Sequence, residues 1–142
     1  MTVKAILQSK SQDIVSISGA AKVSDAIALL AEKRIGALPV MEGGAVVGIF
    51  SERDVIYCLA RSGGVALDMP VSDVMTSPAV TIGPECAVLS ALSLMTKRRI
   101  RHLPVVEAAG VAGFISIGDL VKHRIEKIEA EAAAMRDYIQ MA

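Results

Sequence analysis

Ile35-Gly36-Ala37-Leu38-Pro39-Val40 and Ile100-Arg101-His102-Leu103-Pro104-Val105 share one frame 65 positions apart, Pro39 against Pro104. Carried upstream, that offset aligns Val15 with Val80, Ile17 with Ile82, Val23 with Val88, Ala26 with Ala91 and Leu29 with Leu94. Carried downstream, it aligns Gly48 with Gly113, Ser51 with Ser116 and Asp54 with Asp119, without a gap. So many identities in one register mark an internal repeat. Further upstream, Val3-x-x-Ile6-Leu7 matches Val71-x-x-Val74-Met75 at a slightly different offset, which places the length change in a loop.

Each copy predicts the same run of elements. A short strand over 14–17, or 79–82, comes first. A helix over 24–34 follows, with Val23, Ala26, Ile27, Leu30 and Ala31 on one face at helical spacing and Ser18 or Ser24 as its cap. In the second copy that face is Val88, Ala91, Leu92 and Met95, with Pro84 just ahead. Next come strands over 37–41 and 45–50 around Glu42-Gly43-Gly44, repeated over 102–106 and 111–116 around Ala109-Gly110. A second helix starts near Ser51 or Ser116. The expected organisation is repeat 1 over 1–62, a linker over 63–73 carrying Gly63-Gly64 and Pro70, repeat 2 over 74–124 and a helical extension over 125–142. The fold class is α/β (α+β): two tandem βαββα repeats, packed sheet to sheet about a pseudo-twofold axis, plus a long C-terminal helix. One unit of this size cannot bury both faces of its sheet, whereas two can. Such packing leaves a pair of clefts between the copies, where ligands bind.

Composition bounds the partners. The chain has 142 residues, 53% hydrophobic and only 3% aromatic, so its core is aliphatic. Fifteen basic residues balance fifteen acidic ones. Neutrality gives no general pull toward nucleic acid or anionic lipid, and scarce aromatics weigh against base stacking. Mean hydropathy is +0.52, yet no apolar run reaches the roughly 18 residues of a membrane span. Lys4, Lys10 and Asp13 interrupt any leader-like stretch, and a cytoplasmic location is expected. Cys58 and Cys86 have neither metal spacing nor a disulfide pattern and read as small buried hydrophobes.

The tandem repeat, the Leu-Pro-Val strand in each copy, and Gly48-Ile49-Phe50-Ser51-Glu52-Arg53-Asp54 with Gly113-Phe114-Ile115-Ser116-Ile117-Gly118-Asp119 together resemble a CBS-domain pair, the regulatory module named after cystathionine β-synthase. The resemblance runs from Val3 to about Arg124, and Asp73-Val74-Met75-Thr76 is similar to the start of a second copy in that family.

Ser51-x-x-Asp54 has two readings. One is a helix start, with serine as N-cap and a carboxylate in the positive end of the helix dipole. The other adds a ligand, since a carboxylate at a helix start beside a cleft can accept the hydroxyls of a ribose. The resemblance implies that role for Asp54 and Asp119, with Ser51 and Ser116 near the sugar or a phosphate. It also implies that each adenine slot is borrowed from the opposite repeat: Ala79, Val80, Ile100 and Pro104 for Asp54, and Ile14, Val15, Ile35 and Pro39 for Asp119. Core packing is the plain alternative for each of these.

The two sites are not expected to be equal. Lys97-Arg98-Arg99-Ile100-Arg101-His102 ends one helix and enters a strand. Cations at a helix C-terminus suit the dipole, which accounts for residues 97–99 but not for Arg101 and His102. Those two are suited to a phosphate, as their equivalents are in the family. Gly36 and Ala37 stand at the matching positions of repeat 1. The Asp54 cleft is thus expected to take the phosphorylated nucleotide, with Arg53 as a further phosphate candidate, and the Asp119 cleft to be weaker or to take the nucleoside part of a larger ligand.

In the C-terminal helix, Val121, Ile125, Ile128, Ala132, Met135 and Ile139 follow alternating spacings of four and three, an a/d seam. Either the seam packs on this chain's own repeats or it meets a second chain, as the flat dimers of the family imply. The functional expectation is a regulatory module that binds an adenine nucleotide. AMP stands first, with ADP, ATP, NAD or NADH as alternatives, and the module acts through homodimerisation or an unidentified partner. The alternative is a dimerisation scaffold with empty clefts. No nucleophile–base pair, metal cluster or Gly-rich phosphate loop points to an enzyme.

Overall fold

The computed structural model describes residues 1–10 and 13–141. The elements in order are α1 (Val3–Ser9), β1 (Ile17–Ser18), α2 (Val23–Lys33), β2 (Ala37–Glu42), β3 (Ala45–Ser51), α3 (Glu52–Ser62), α4 (Val71–Val74), α5 (Val88–Arg98), β4 (His102–Glu107), β5 (Gly110–Ser116) and α6 (Ile117–Met141). A 3-10 segment, Gly63–Asp68, joins α3 to α4. The fold is mixed α and β, with one three-stranded sheet in the order β1-β2-β3 and one two-stranded sheet, β4-β5.

The hairpins match residue for residue. Ala37 faces Ser51 in one and His102 faces Ser116 in the other. The register slips at Val40/Met41 and, 65 positions on, at Val105/Val106. Each hairpin buries its own core. Leu38, Val40, Phe50, Val23, Ala26 and Leu30 form one, and Leu103, Val105, Ile115, Val88, Ala91 and Met95 form the other. Cys58 is buried as expected, but Cys86 is only half-buried.

The leading strands are shorter than the sequence predicts. Only Ile17 and Ser18 pair, parallel to Val40 and Met41. In the second copy the 79–82 strand is reduced to one parallel bridge, Ile82 to Val105. Residues 14–15 and 79–80 leave the sheets to form cleft walls instead. Neither Ser18 nor Ser24 caps α2. Its N-cap is Lys22, which makes no side-chain cap, while Ser18 Oγ accepts from the Ala20 N–H at 3.2 Å.

The short N-terminal helices are exchanged between the units. Val3 and Ile6 of α1 lie in the second core, whereas Val71 of α4 lies in the first. The backbone bonds are equivalent: Val3 N–H donates to the Cys86 carbonyl at 2.9 Å, and Val71 N–H donates to the Ala21 carbonyl at 2.8 Å. Close approach at a glycine completes each exchange, Met75 over Gly48 and Leu7 over Gly113. Spatially, each unit is thus finished by a helix that precedes the other in the chain, and α4 gives structure to the stretch expected to be a linker.

From α6, only Leu120 is fully buried. The expected seam is not packed on this chain's repeats: Val121 is 42% exposed, Ile125 49%, Ile128 48%, Met135 59% and Ile139 64%. Ala142, the last residue of the expected helix, lies outside the described residues. Among the described residues, no helix is long and apolar enough to cross a membrane.

Candidate functional site

Two clefts lie between the units. The first, about 380 Å³, is lined by Ser51, Arg53 and Asp54 from one repeat, and by Ala79, Val80, Ile100, Arg101 and His102 from the other. Thr76, Tyr57, Glu52 and Arg99 complete its wall. The second, about 540 Å³, is lined by Ile14, Val15 and Ile35 from the first repeat and by Ser116 and Asp119 from the second. Pro39 and Pro104 line neither; both are buried, one opposite Ile49 and the other opposite Phe114 in the hairpin ladders. His102, Gly36 and Ser116 border both clefts.

The helix-start reading of Ser51-x-x-Asp54 holds in full. Ser51 caps α3, and the Asp54 carboxylate closes the capping box by accepting the Ser51 N–H at 2.8 Å. Oδ2 also accepts the Ser51 hydroxyl at 3.1 Å. On the other oxygen, Oδ1 accepts the Thr76 hydroxyl at 2.9 Å, a bond across 22 residues. Asp54 is 6% exposed, the one charged residue in the buried set of described residues. A carboxylate offers about four lone-pair sites, so these bonds leave capacity toward the cleft. A rotatable hydroxyl beside it can donate or accept.

Asp119 repeats the cap but not the surroundings. It accepts the Ser116 N–H at 2.9 Å, and its own N–H donates to Ser116 Oγ at 3.1 Å. Its side-chain partner is the Lys10 ammonium, 2.7 Å from Oδ2. Burial alone would raise the Asp119 pKa. The Lys10 hydrogen bond, the Ser116 bonds and the Lys10 charge outweigh burial and hold it below its ordinary value.

Arg34 and Arg99 end α2 and α5 in the left-handed conformation, at φ 53° and 54°. That region usually falls to glycine, so an arginine there carries local strain. Arg34 lines the Asp119 cleft and Arg99 the Asp54 cleft. Arg53 is tied down, donating to the Arg99 carbonyl at 2.9 Å. Arg53, Arg99 and Arg101 thus face Glu52 and Asp54 in the first cleft, a positive excess. Lys4, Lys10 and Arg34 face Asp13, Glu107 and Asp119 in the second, a balance.

His102 stacks on Phe114, with ring centroids 5.6 Å apart and planes 11° from parallel. Burial holds its pKa below the ordinary 6.5, with Lys10 and Arg101 adding to the lowering, against the opposing pull of Glu52 and Asp119. The imidazole is therefore neutral at pH 7, beside an exposed arginine.

Thr76, Tyr57, Arg99, Arg34 and Lys10 were not among the residues the sequence singled out. Thr76 stood in a motif resembling a repeat start, and Arg99 in a basic run accounted for by the helix dipole, but neither signal pointed to a cleft. Nothing in the sequence placed Lys10.

The family model for the CBS domain matches residues 3–61 and 71–126. The CBS domain-containing protein CBSX3, mitochondrial, of Arabidopsis thaliana is 37% identical over 123 residues, 83% of this chain and 60% of that protein. The chain thus spans less than two thirds of that relative's length. A CBS-domain containing protein of Agrobacterium tumefaciens superposes with a TM-score of 0.84 at 37% identity, covering 87% of this chain and 99% of that one. A CBS domain pair solved in complex with 5′-methylthioadenosine and S-adenosyl-L-methionine superposes with a TM-score of 0.75, over 86% of this chain and 98% of that one. At 23% identity that likeness is one of fold.

Proposed function

Because the chain belongs to the CBS-domain family through both of its repeats, we propose that it is a regulatory module that binds an adenine nucleotide in the Asp54 cleft. The observation that carries this reading is one cleft that holds a buried carboxylate, a cross-repeat threonine hydroxyl, an apolar wall and an excess of arginine. Asp54 and Thr76 suit the two hydroxyls of a ribose. Ala79, Val80 and Ile100 supply apolar surface for a base, and Arg101 with His102 suits a phosphate. A structural neighbour with adenosine-containing ligands supports the same ligand class. AMP is the first candidate, and ADP, ATP and NAD or NADH are the others.

The module acts by binding and not by catalysis. Ser51 and Ser116 are engaged in helix caps, and neither cysteine lines either cleft. Occupancy shifts a state only by differential affinity, which calls for a second conformation or partner. The exposed seam on α6 fits a second copy of this chain, because 4-3 spacing is self-complementary and runs from Val121 to Ile139, about 27 Å of helix. The same helix carries Asp119, so a cleft and the dimer seam share one rigid element. A cytoplasmic location goes with this reading; the Arabidopsis relative is named mitochondrial.

Thermal shift at two pH values tests the reading. The neutral His102 takes up a proton on meeting a phosphate, so affinity rises as pH falls from 7.5 toward 6. The ligand-free chain behaves oppositely. With its folded pKa below the unfolded 6.5, His102 favours unfolding as pH drops through that range. The melting temperature without ligand is therefore expected to fall, while the increment from AMP, ADP or ATP grows. Adenosine is expected to give a pH-independent increment. If no adenine compound raises the melting temperature, the nucleotide reading fails and the scaffold alternative stands.

A further inference from the structure

We propose that Lys10 sets the specificity of the second cleft: its ammonium holds the Asp119 carboxylate, so the Asp119 cleft takes no nucleoside until that ammonium is removed. This rests on the nucleotide reading of the Asp54 cleft, which it extends.

The two carboxylates occupy equivalent places, each at the start of a helix and each capped by its serine. The side chains that meet them differ in kind. Asp54 has the Thr76 hydroxyl at 2.9 Å, a neutral group that both donates and accepts and that leaves the carboxylate's charge uncompensated. Asp119 has the Lys10 ammonium at 2.7 Å, a donor only, which cancels that charge. A ribose arriving at Asp119 must displace a charge-assisted bond to gain a neutral one.

Lys10 is also fixed from other directions. Its ammonium donates to the Phe114 carbonyl at 2.9 Å. Its backbone N–H closes α1 on the Leu7 carbonyl at 3.4 Å. That helix is anchored by buried Val3 and Ile6, so the lysine enters the cleft from a helix already packed on the second unit. The balanced charges of this cleft point the same way. With Lys4, Lys10 and Arg34 set against Asp13, Glu107 and Asp119, a phosphate reaches Lys10 only by taking it from a carboxylate.

Calorimetric titration of the full chain with AMP and with ATP tests this. The wild type is expected to take up one nucleotide per chain. Lys10→Met keeps the apolar stem and loses the charge. It is expected to take up a second nucleotide, about tenfold more tightly than any second uptake by the wild type. Lys10→Arg keeps the cation and should behave as the wild type does. Adding Asp119→Asn to Lys10→Met should return the count to one, since the amide oxygen still accepts the Ser116 N–H and preserves the cap. Wild-type stoichiometry in Lys10→Met, two sites in the wild type, or a gain that survives Asp119→Asn would each overturn the proposal while leaving the Asp54 reading intact. Absence of uptake by both the wild type and Lys10→Met would bring down the nucleotide reading and the proposal with it.

Discussion

Asp54→Asn is expected to leave the chain folded and to weaken nucleotide binding by about ten- to a hundredfold. The substitution keeps the shape of the side chain. Its amide oxygen can take the place of Oδ2, which accepts the Ser51 N–H at 2.8 Å. Its amide nitrogen then faces Thr76, whose hydroxyl rotates from donor to acceptor. The capping box thus survives in part, and the stability loss stays near 1 kcal/mol. Binding fares worse, because the cleft-facing oxygen has become a donor and the negative charge is gone. Hydrogen bonds to a charged partner are worth about 1.5–3 kcal/mol, and each 1.4 kcal/mol is about tenfold in affinity. Asp54→Ala keeps the Ser51 cap but removes the carboxylate half of the capping box altogether, and should cost a further 1 kcal/mol or so in folding. Chemical denaturation and titration with AMP on the two variants separate the effects. Equal affinity loss and equal stability loss in both would mean that the carboxylate acts on the fold alone.

Gly48→Ala is expected to damage stability and binding together. A Cβ at Gly48 would sit 2.6 Å from the Met75 sulfur and 2.9 Å from the Thr76 carbonyl oxygen. The sulfur can swing aside, but the carbonyl is fixed. It accepts the Ile49 N–H at 2.9 Å, and the Thr76 N–H donates back to the Ile49 carbonyl at 2.9 Å. A methyl group there must push the Thr76 segment off β3. The hydroxyl that holds Asp54 Oδ1 goes with it. Overpacking of this kind costs about 1–3 kcal/mol, several degrees in melting temperature for a domain of this size. Gly113→Ala is the internal control. Its nearest neighbour is the end of the Leu7 side chain at 2.5 Å, which can change rotamer. Its effect is expected to be the smaller of the two, in both thermal denaturation and AMP titration. A larger effect at Gly113 would show that the Thr76 backbone is not the rigid element.

What the sequence made legible is what each repeat builds locally. The hairpins, their turns and the paired helix starts at Ser51 and Ser116 are short-range patterns written twice, so each copy checks the other. The clefts followed because two such units can close only by facing each other. Eight of the residues chosen for the Asp54 cleft do line it. Pro104 does not, and neither does Pro39 in the second cleft. In both repeats the proline is packed within its hairpin, where alternation along the strand decides which side chain faces a neighbour and which faces a cavity. Over 79–82 the expected strand is one bridge, because apolar residues wall a cleft as readily as they pair in a sheet. Lys10 lay beyond local reasoning altogether. It meets Asp119 across 109 residues, and only because α1 crosses to the second unit, a consequence of packing that no spacing along the chain displays. The difference first read from Gly36-Ala37 against Arg101-His102 therefore gains a second source, in the group that each carboxylate faces.

The most direct measurement is a crystal structure of the chain grown with saturating AMP. The expected density places the ribose hydroxyls against Asp54 and Thr76, the base against Ala79, Val80 and Ile100, and the phosphate at Arg101 and His102. AMP seated on Asp119 with the Asp54 cleft empty, or both clefts empty at saturation, would contradict it.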